Sequence, residues 1–406
     1  MGVDSQPLSG VKVLDLAWVV AGPLIGRSLA DYGASVVRID SSKRTETARM
    51  MGPFPQGRFD VQQSTLYENC NAGKFGLALD LRLEEARAVV RDLAAWADIA
   101  VESFTPGQMG KWGMGYERLS AINPGLIMVS TSLMGQSGPW TRYSGYGNHG
   151  AAISGFQNIV GPEGGPPVGP FGPYTDFVAP RFGVVATLAA LDQRRRTGKG
   201  CHLDVSQSEA GMQFLAPQIA DYSVTGRIQA CAGARDVAMA PHGVFAAAGW
   251  DSWVAIAARS DTEWAALARL IGGAALAGDA RFAALEGRKA NEDALEAIVS
   301  DWTAQRAAAD IEAELQALGV PAHVAVDSAG FMADPQLNAR DHFVRLPHPL
   351  MSEAVVEASR YRLSETPAKY PRSAPVYGRD NDHVLADILG YDADRIAALR
   401  AAGVLA

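Results

Sequence analysis

The sequence predicts an α/β fold organised on a mostly parallel, doubly wound sheet, and three observations carry that prediction. Short β-branched, apolar runs alternate with segments of helical periodicity from Val11 to Ser132, the pattern of strands joined by crossover helices. The first of these runs form a complete strand, helix, strand unit. A composition of 48% hydrophobic and 20% charged residues supplies an ordinary buried core and argues against extensive disorder.

Val11–Val20 (VKVLDLAWVV) reads as a strand, Ala21-Gly22-Pro23 as a turn, Leu24–Gly33 as a helix and Ala34–Asp40 as a second strand. Pro23 suits a first helical turn, where no N–H is needed, and Gly33 suits the position just past a helix end. The crossover is expected to be right-handed. Phe75–Leu81 continues as a strand, Leu83–Ala97 as a helix, Asp98–Ser103 as a strand, Tyr116–Ile122 as a short helix and Leu126–Ser132 as a strand. From Leu133 to Thr175 the pattern dissolves into Gly- and Pro-rich sequence around one helix-like piece, His149–Val160, and so long an irregular stretch points to function. Phe177–Gln193 then reads as a helix and Cys201–Gln207 as a strand.

At 406 residues the chain is expected to hold two or three units, or one large discontinuous body with an inserted lobe. The large domain is read as 1–226. A smaller lobe follows at 227–330, where Trp253–Arg259 and the helices Asp261–Ile271 and Ala309–Gly319 have their own pattern, and 331–406, with turns at Pro347, Pro349 and Pro371, returns to the large domain.

Net charge of −8 gives no general reason to bind nucleic acid or an anionic membrane. Cys70, Cys201 and Cys231 lie far apart, so neither a disulfide framework nor a thiolate metal site is expected, and a reducing cytoplasm fits. The first ten residues have neither export nor lipidation features, and Ser120–Thr141 is too broken by Gly and Pro to read as a membrane span. The seven histidines include no ligand-spaced pair, and P-loop and Gly-x-Ser-x-Gly motifs are missing.

The first βα turn has the position of a dinucleotide site, and Asp40 stands where such sites place a ribose-binding acid. Gly22 and Gly26 do not complete the three-glycine phosphate fingerprint, so a nicotinamide or flavin site is not expected. Lys43, Arg44, Arg49, Lys74, Lys111 and Arg142 fall in loops at predicted strand ends, where an anionic ligand would bind. Asp176 follows a Gly/Pro loop and precedes a long helix. Two readings stand: a simple helix N-cap, or an ionised, exposed carboxylate, stabilised by the helix terminus, that attacks an acyl carbon.

The segments Leu8–Asp40, Gly73–Leu81, Asp98–Pro139, the Asp176 segment with Leu188–Ser206, and Asp334–Phe343 together resemble the class III, or formyl-CoA-transferase-like, CoA-transferases, over nearly the whole chain. The resemblance implies a Rossmann-like large domain, a smaller α/β domain and an interlocked homodimer, with a heteromer of related chains as the alternative. It implies acyl-CoA and a carboxylic acid as substrates, with no tightly bound cofactor and no metal. Asp176 matches the family's nucleophile, which forms a mixed anhydride and then an aspartyl-CoA thioester. The CoA cleft would include Val20, Ala21, Asp40, Lys74, Phe104, Pro106 and Gly107. Ser41 stands where a basic residue is frequent, so the phosphate contact is expected to shift to Lys43 or Arg44; Ser103 replaces a frequent Asn.

The superfamily also includes α-methylacyl-CoA racemases. Their Gly-His-Asp motif is matched by Gly145-Tyr146-Gly147, with His149 three residues beyond the lost base, so racemase is the alternative activity and a noncatalytic partner subunit a second alternative. Aromatic residues crowd the Asp176 region. Trp140, Arg142, Tyr146, His149, Tyr174 and Arg181 are the candidate substrate contacts, the arginines holding a second carboxylate. The Tyr174–Pro180 segment is similar to the benzylsuccinate CoA-transferase branch, which implies exchange between succinyl-CoA and an aryl-substituted succinate.

Overall fold

A computed structural model describes Gln6–Leu405; residues 1–5, on which half of the reading of the first ten residues falls, lie outside the described residues. Two compact units are present, one formed by residues through Phe156, Pro170–Gly226 and the chain from Asn338 onward, the other by Gln157–Gly169 and Arg227–Leu337. The excursion 157–169 and residues 331–337 fall in the second unit, beyond the lobe expected from the sequence. Within that unit the Gly161 carbonyl accepts the Gly233 N–H, and Arg235 pairs with Glu163.

The first unit is built on six strands: β1 (Lys12–Asp15), β2 (Ser35–Asp40), β3 (Phe75–Ala78), β4 (Ile99–Glu102), β5 (Ile127–Ser132) and β6 (Cys201–Ser206). Their order is β3-β2-β1-β4-β5-β6 and every neighbouring pair is parallel. Alternate residues serve opposite faces, as the pleat requires. Leu14, Val37, Leu77, Ala100 and Met128 pack with Val89, Val90 and Leu93 of helix Glu84–Trp96. Val13, Val36, Ile99, Val101, Ile127 and Val129 pack with residues of helices Ala21–Ala30 and Tyr174–Thr197. Strand order reverses between β1 and β4, so the connections leaving their carboxyl ends diverge and open a crevice there.

β1 is shorter than the apolar run Val11–Val20 predicts, and a buried ionic cluster explains why. The Asp15 carboxylate accepts the Ala17 N–H at 2.9 Å and turns the chain. Val19 then adopts φ 66°, a strained conformation for a β-branched residue. It is held there by Glu46, whose Oε2 accepts the Val19 N–H at 2.9 Å, while Ser103 Oγ accepts the Trp18 N–H at 2.8 Å. Arg38 joins the acids, 3.4 Å from Asp15 and 2.9 Å from Glu46. Lys74 Nζ donates to Asp15 Oδ2 at 2.6 Å and to Pro23 O and Asn71 Oδ1 at 2.8 Å each. Asp15, Arg38, Glu46 and Lys74 are all fully buried.

The second unit has the antiparallel strands β7 (His242–Ala246), β8 (Trp253–Ala257) and β9 (Ala322–Val324), over a core including Trp264, Phe282, Leu295 and Ile311. In the C-terminal part of the first unit, β10 (Phe343–Leu346) and β11 (Ala354–Glu357) form a hairpin, where the sequence reading had only turns. Farther on, Asp380 Oδ2 and Asn381 Oδ1 accept the Gly76 and Ala78 N–H groups at 2.8 and 2.9 Å, which protects the free edge of β3. Among the described residues no helix is long and apolar enough to cross a membrane.

Removing one member of a buried ion pair leaves the other desolvated and uncompensated. Lys74→Met is therefore expected to lower unfolding free energy by about 3–5 kcal/mol, measured by urea denaturation; a loss below about 1 kcal/mol would contradict this role for Lys74.

Candidate active site

The crevice predicted by the sheet topology is a cleft of about 560 Å³. Its walls come from Trp18–Ala21 after β1, Ser103–Pro106 after β4 and Thr131–Leu133 at the end of β5. Tyr143–Tyr146, His149, Asp176 and Gln207 also line it, and Arg44 and Thr47 complete the lining. Asp176 is the third residue of helix Tyr174–Thr197, not its cap: Pro173 precedes the helix and its carbonyl accepts the Asp176 N–H.

Asp176 differs from the exposed carboxylate the sequence predicts, since only 4% of it is accessible. Burial pushes its carboxyl up to about 6, while the Gly147 N–H, donating to Oδ2 at 3.1 Å, and a side-chain hydrogen bond with Gln207 favour the anion. Gly147 begins helix Gly147–Ser154, and a Cβ there would lie 2.6 Å from the Asp176 nitrogen. Only glycine permits this approach. The Thr175 hydroxyl donates to the Gly147 carbonyl at 3.1 Å and further fixes the crossing. Sequence reasoning missed Gly147 and Gln207 as partners of Asp176; the only signal for Gln207 was its place at the carboxyl end of a predicted strand.

Val20, Ala21, Phe104 and Pro106 line the cleft, whereas Gly107 lines a neighbouring recess. A third, small apolar recess is walled by Leu16, Trp18, Ile39, Leu79, Phe104 and Trp112, with Asp40, Arg44 and Arg82 also lining it. Of the two expected phosphate contacts, Arg44 lines both this recess and the cleft and lies 5.3 Å over the Trp18 ring; Lys43 is exposed and lines neither. Asp40 reaches the recess wall with its carboxylate engaged: Oδ2 accepts from Arg49 Nε at 2.7 Å and Tyr67 OH at 3.0 Å, and Oδ1 from the Ser41 N–H at 2.8 Å.

Lys74 is a correction. Its three ammonium donors are spent on three internal oxygens, so it cannot meet a ligand. Arg49 is likewise buried, between the rings of Tyr67 and Tyr377. Among the substrate candidates, Tyr146 and His149 line the cleft, and Arg142 lines an adjoining recess with Tyr143, Ser144 and His149. His149 Nδ1 accepts the Tyr146 N–H at 3.4 Å, a helix-start contact. Trp140 is exposed and stacks on Tyr143 at 5.8 Å. Tyr174 and Arg181 are further corrections. Successive helical residues turn by about 100°, which places them roughly 160° and 140° from Asp176 around the axis. Accordingly Tyr174 packs edge-on to Phe156, and Arg181 faces a separate pocket with Asp31, Tyr32, Arg360 and Tyr361.

A Rossmann-type sheet with a carboxylate at its switch-point cleft defines a class, and the comparisons identify it. Residues 8–381 match the model of CoA-transferase family III. The chain belongs to that family and is a class III CoA-transferase, an enzyme whose substrates are CoA thioesters. It is 32% identical over 401 residues to succinyl-CoA–D-citramalate CoA-transferase of Chloroflexus aurantiacus, covering 98% of both chains. It is 31% identical over 405 residues to the alpha subunit of succinyl-CoA–L-malate CoA-transferase of the same organism, covering 100% of this chain and 94% of that one. The crystal structure of a CAIB/BAIF family protein from Brucella suis superposes with a TM-score of 0.86 at 31% identity, over 95% of this chain and 100% of that one.

Because folding raises the Asp176 pKa above its unfolded value, the native state holds this proton more tightly and loses stability as pH rises from about 4 through about 6. Asp176→Asn is therefore expected to be more stable than the parent by about 3 kcal/mol at pH 8, with the gain vanishing below pH ~4. Denaturation at both pH values checks this, and an equal gain at both would contradict it.

Proposed function

We propose that this enzyme moves CoA from succinyl-CoA to a second carboxylic acid, with Asp176 as the nucleophile. The observation that carries the reading is a carboxyl held by the Gly147 N–H and Gln207 at the wall of the switch-point cleft. An Asp176 oxygen attacks the thioester carbon, the carbon–sulfur bond breaks, and CoA leaves as thiolate from a mixed anhydride. The thiolate attacks the aspartyl carbon, releasing the donor acid and leaving an aspartyl-CoA thioester. The acceptor carboxylate attacks that carbon, CoA leaves again, and its return to the acceptor's acyl carbon gives the new thioester and free Asp176. Keeping CoA bound through these steps makes each return of the thiolate effectively intramolecular. The apolar recess beside Arg44 suits a flat ring, and Arg44 itself suits a phosphate.

For the acceptor we propose an aryl-substituted succinate. Tyr143, Tyr146 and Phe104 give the cleft an aromatic lining, and the adjoining Arg142 and His149 supply a cationic and a polar group for a second carboxylate. Two relatives are named for succinyl-CoA as donor and a dicarboxylic acid as acceptor, which supports a dicarboxylate exchange. For assembly we propose the interlocked homodimer, supported by the exposed Phe177, Phe182, Val185 and Leu188 on one long helix. The relative named as an alpha subunit supports the heteromer instead, and the presence of Asp176 supports activity of this chain alone.

Asp176→Asn is expected to retain CoA binding and lose transfer, and hydroxylamine or borohydride should trap the parent enzyme at Asp176; undiminished turnover by the variant would overturn the mechanism. The parent's kcat should fall as pH drops through about 6, as the attacking carboxylate is protonated. Exchange assays with the purified chain should show transfer from succinyl-CoA to aryl-substituted succinates. Transfer to oxalate or carnitine with none to such acids would contradict the acceptor assignment.

A further inference from the structure

Glu102, the last residue of β4, is nearly fully buried and takes no part in the chemistry above. Its Oε2 accepts the Phe104 N–H at 2.8 Å, and its carboxyl also hydrogen-bonds the Ser130 side chain. Ser130 Oγ lies 2.9 Å from His202 Nε2 on β6. An ionised carboxylate can only accept, so the Ser130 hydroxyl donates to it and in turn accepts from His202 Nε2–H. Three elements thus converge, through Glu102, on the amide that begins the Phe104–Gly107 segment. That segment matters to ligand binding: Phe104 lines both the cleft and the apolar recess, its ring set edge-on to Trp18 at 5.7 Å and to Trp112 at 5.0 Å, and Thr105 and Pro106 line the cleft.

We propose that Glu102 is a positioning residue for CoA binding, its ionised carboxylate fixing the Phe104 amide and with it the cleft wall; this rests on the reading of the cleft as the CoA site. Protonation replaces a charge-assisted hydrogen bond by a weaker neutral one. The groups that bear on this switch are Asp204 and His202 on β6 and Tyr116, Glu117 and Arg118 of the helix across the neighbouring recess. Burial and the nearby Asp204 push the Glu102 carboxyl up to about 7, while Ser130 and the Phe104 N–H hold it down. The change of state therefore falls near neutral pH.

The test is equilibrium titration of CoA, from pH 5.5 to 8.5, into Asp176→Asn and into the same protein also carrying Glu102→Gln. The first substitution removes the titration of the nucleophile, and the titration of CoA's own phosphate is common to both proteins and cancels in the ratio of their Kd values. That ratio is expected to change by about fivefold across the range, the difference between a charge-assisted and a neutral hydrogen bond, with its midpoint near pH 7. Ser130→Ala in the same background keeps the carboxyl but removes its hydroxyl donor, and should move the midpoint of CoA binding to higher pH. A Kd ratio independent of pH overturns the proposal; should Glu102→Gln not fold, an unmoved midpoint in Ser130→Ala overturns it equally. Failure of Asp176→Asn to bind CoA at any pH would instead overturn the reading of the cleft, and this inference with it.

Discussion

The ionic cluster of Asp15, Arg38, Glu46 and Lys74 is the constraint on which the site depends. Four charges without access to water are costly unless each is paired and hydrogen-bonded. Satisfying them dictates the local chain path: Asp15 turns β1 after four residues, Glu46 holds Val19 in a left-handed conformation, and Lys74 ties Asp15 to the first turn of the next helix. A hydrophobic cluster of equal volume would pack without dictating where those backbone groups point. On this account the ion pairs serve geometry, and the geometry is that of one wall of the cleft.

The other wall shows a conflict between stability and chemistry. A nucleophilic carboxylate must be ionised, yet Asp176 is placed where burial disfavours its charge. Poor solvation is also what makes the anion reactive, because few hydrogen bonds must be broken before it attacks. Gly147 and Gln207 are a compromise: two donors keep the anion accessible near neutral pH without surrounding it. Glycine is required at 147 because the donor is a backbone N–H brought within van der Waals distance of the helix that carries the nucleophile.

Much of the fold was legible because it rests on local signals. The β-branched runs that became β1 to β6 are each bounded by turns or by helical periodicity, and Asp176 stood out by following a Gly/Pro loop. Long-range pairing was not legible. Nothing around Lys74 indicates that its charge turns inward, since Asp15 lies far away in sequence, and although Asp40 is near Arg49 in the chain, the Tyr377 ring that helps to enclose Arg49 comes from the far end of the sequence. Gly147 acts through its backbone and so leaves no side-chain signature. Tyr174 and Arg181 were drawn toward Asp176 by proximity in sequence, but helical geometry turns them to other faces. The β10–β11 hairpin was hidden because its prolines dominated the local signal.

Oxygen-18 reports whether Asp176 forms an anhydride with the acceptor acid. When an acceptor labelled in both carboxylate oxygens attacks the aspartyl-CoA thioester, one labelled oxygen bridges the two acyl groups. Return of the thiolate to the acceptor's carbon leaves that oxygen on Asp176. Mass spectrometry of the peptide containing Asp176 after turnover is therefore expected to show heavy oxygen in its side-chain carboxyl. Product formed at full rate with no label on Asp176 would mean that no such anhydride forms.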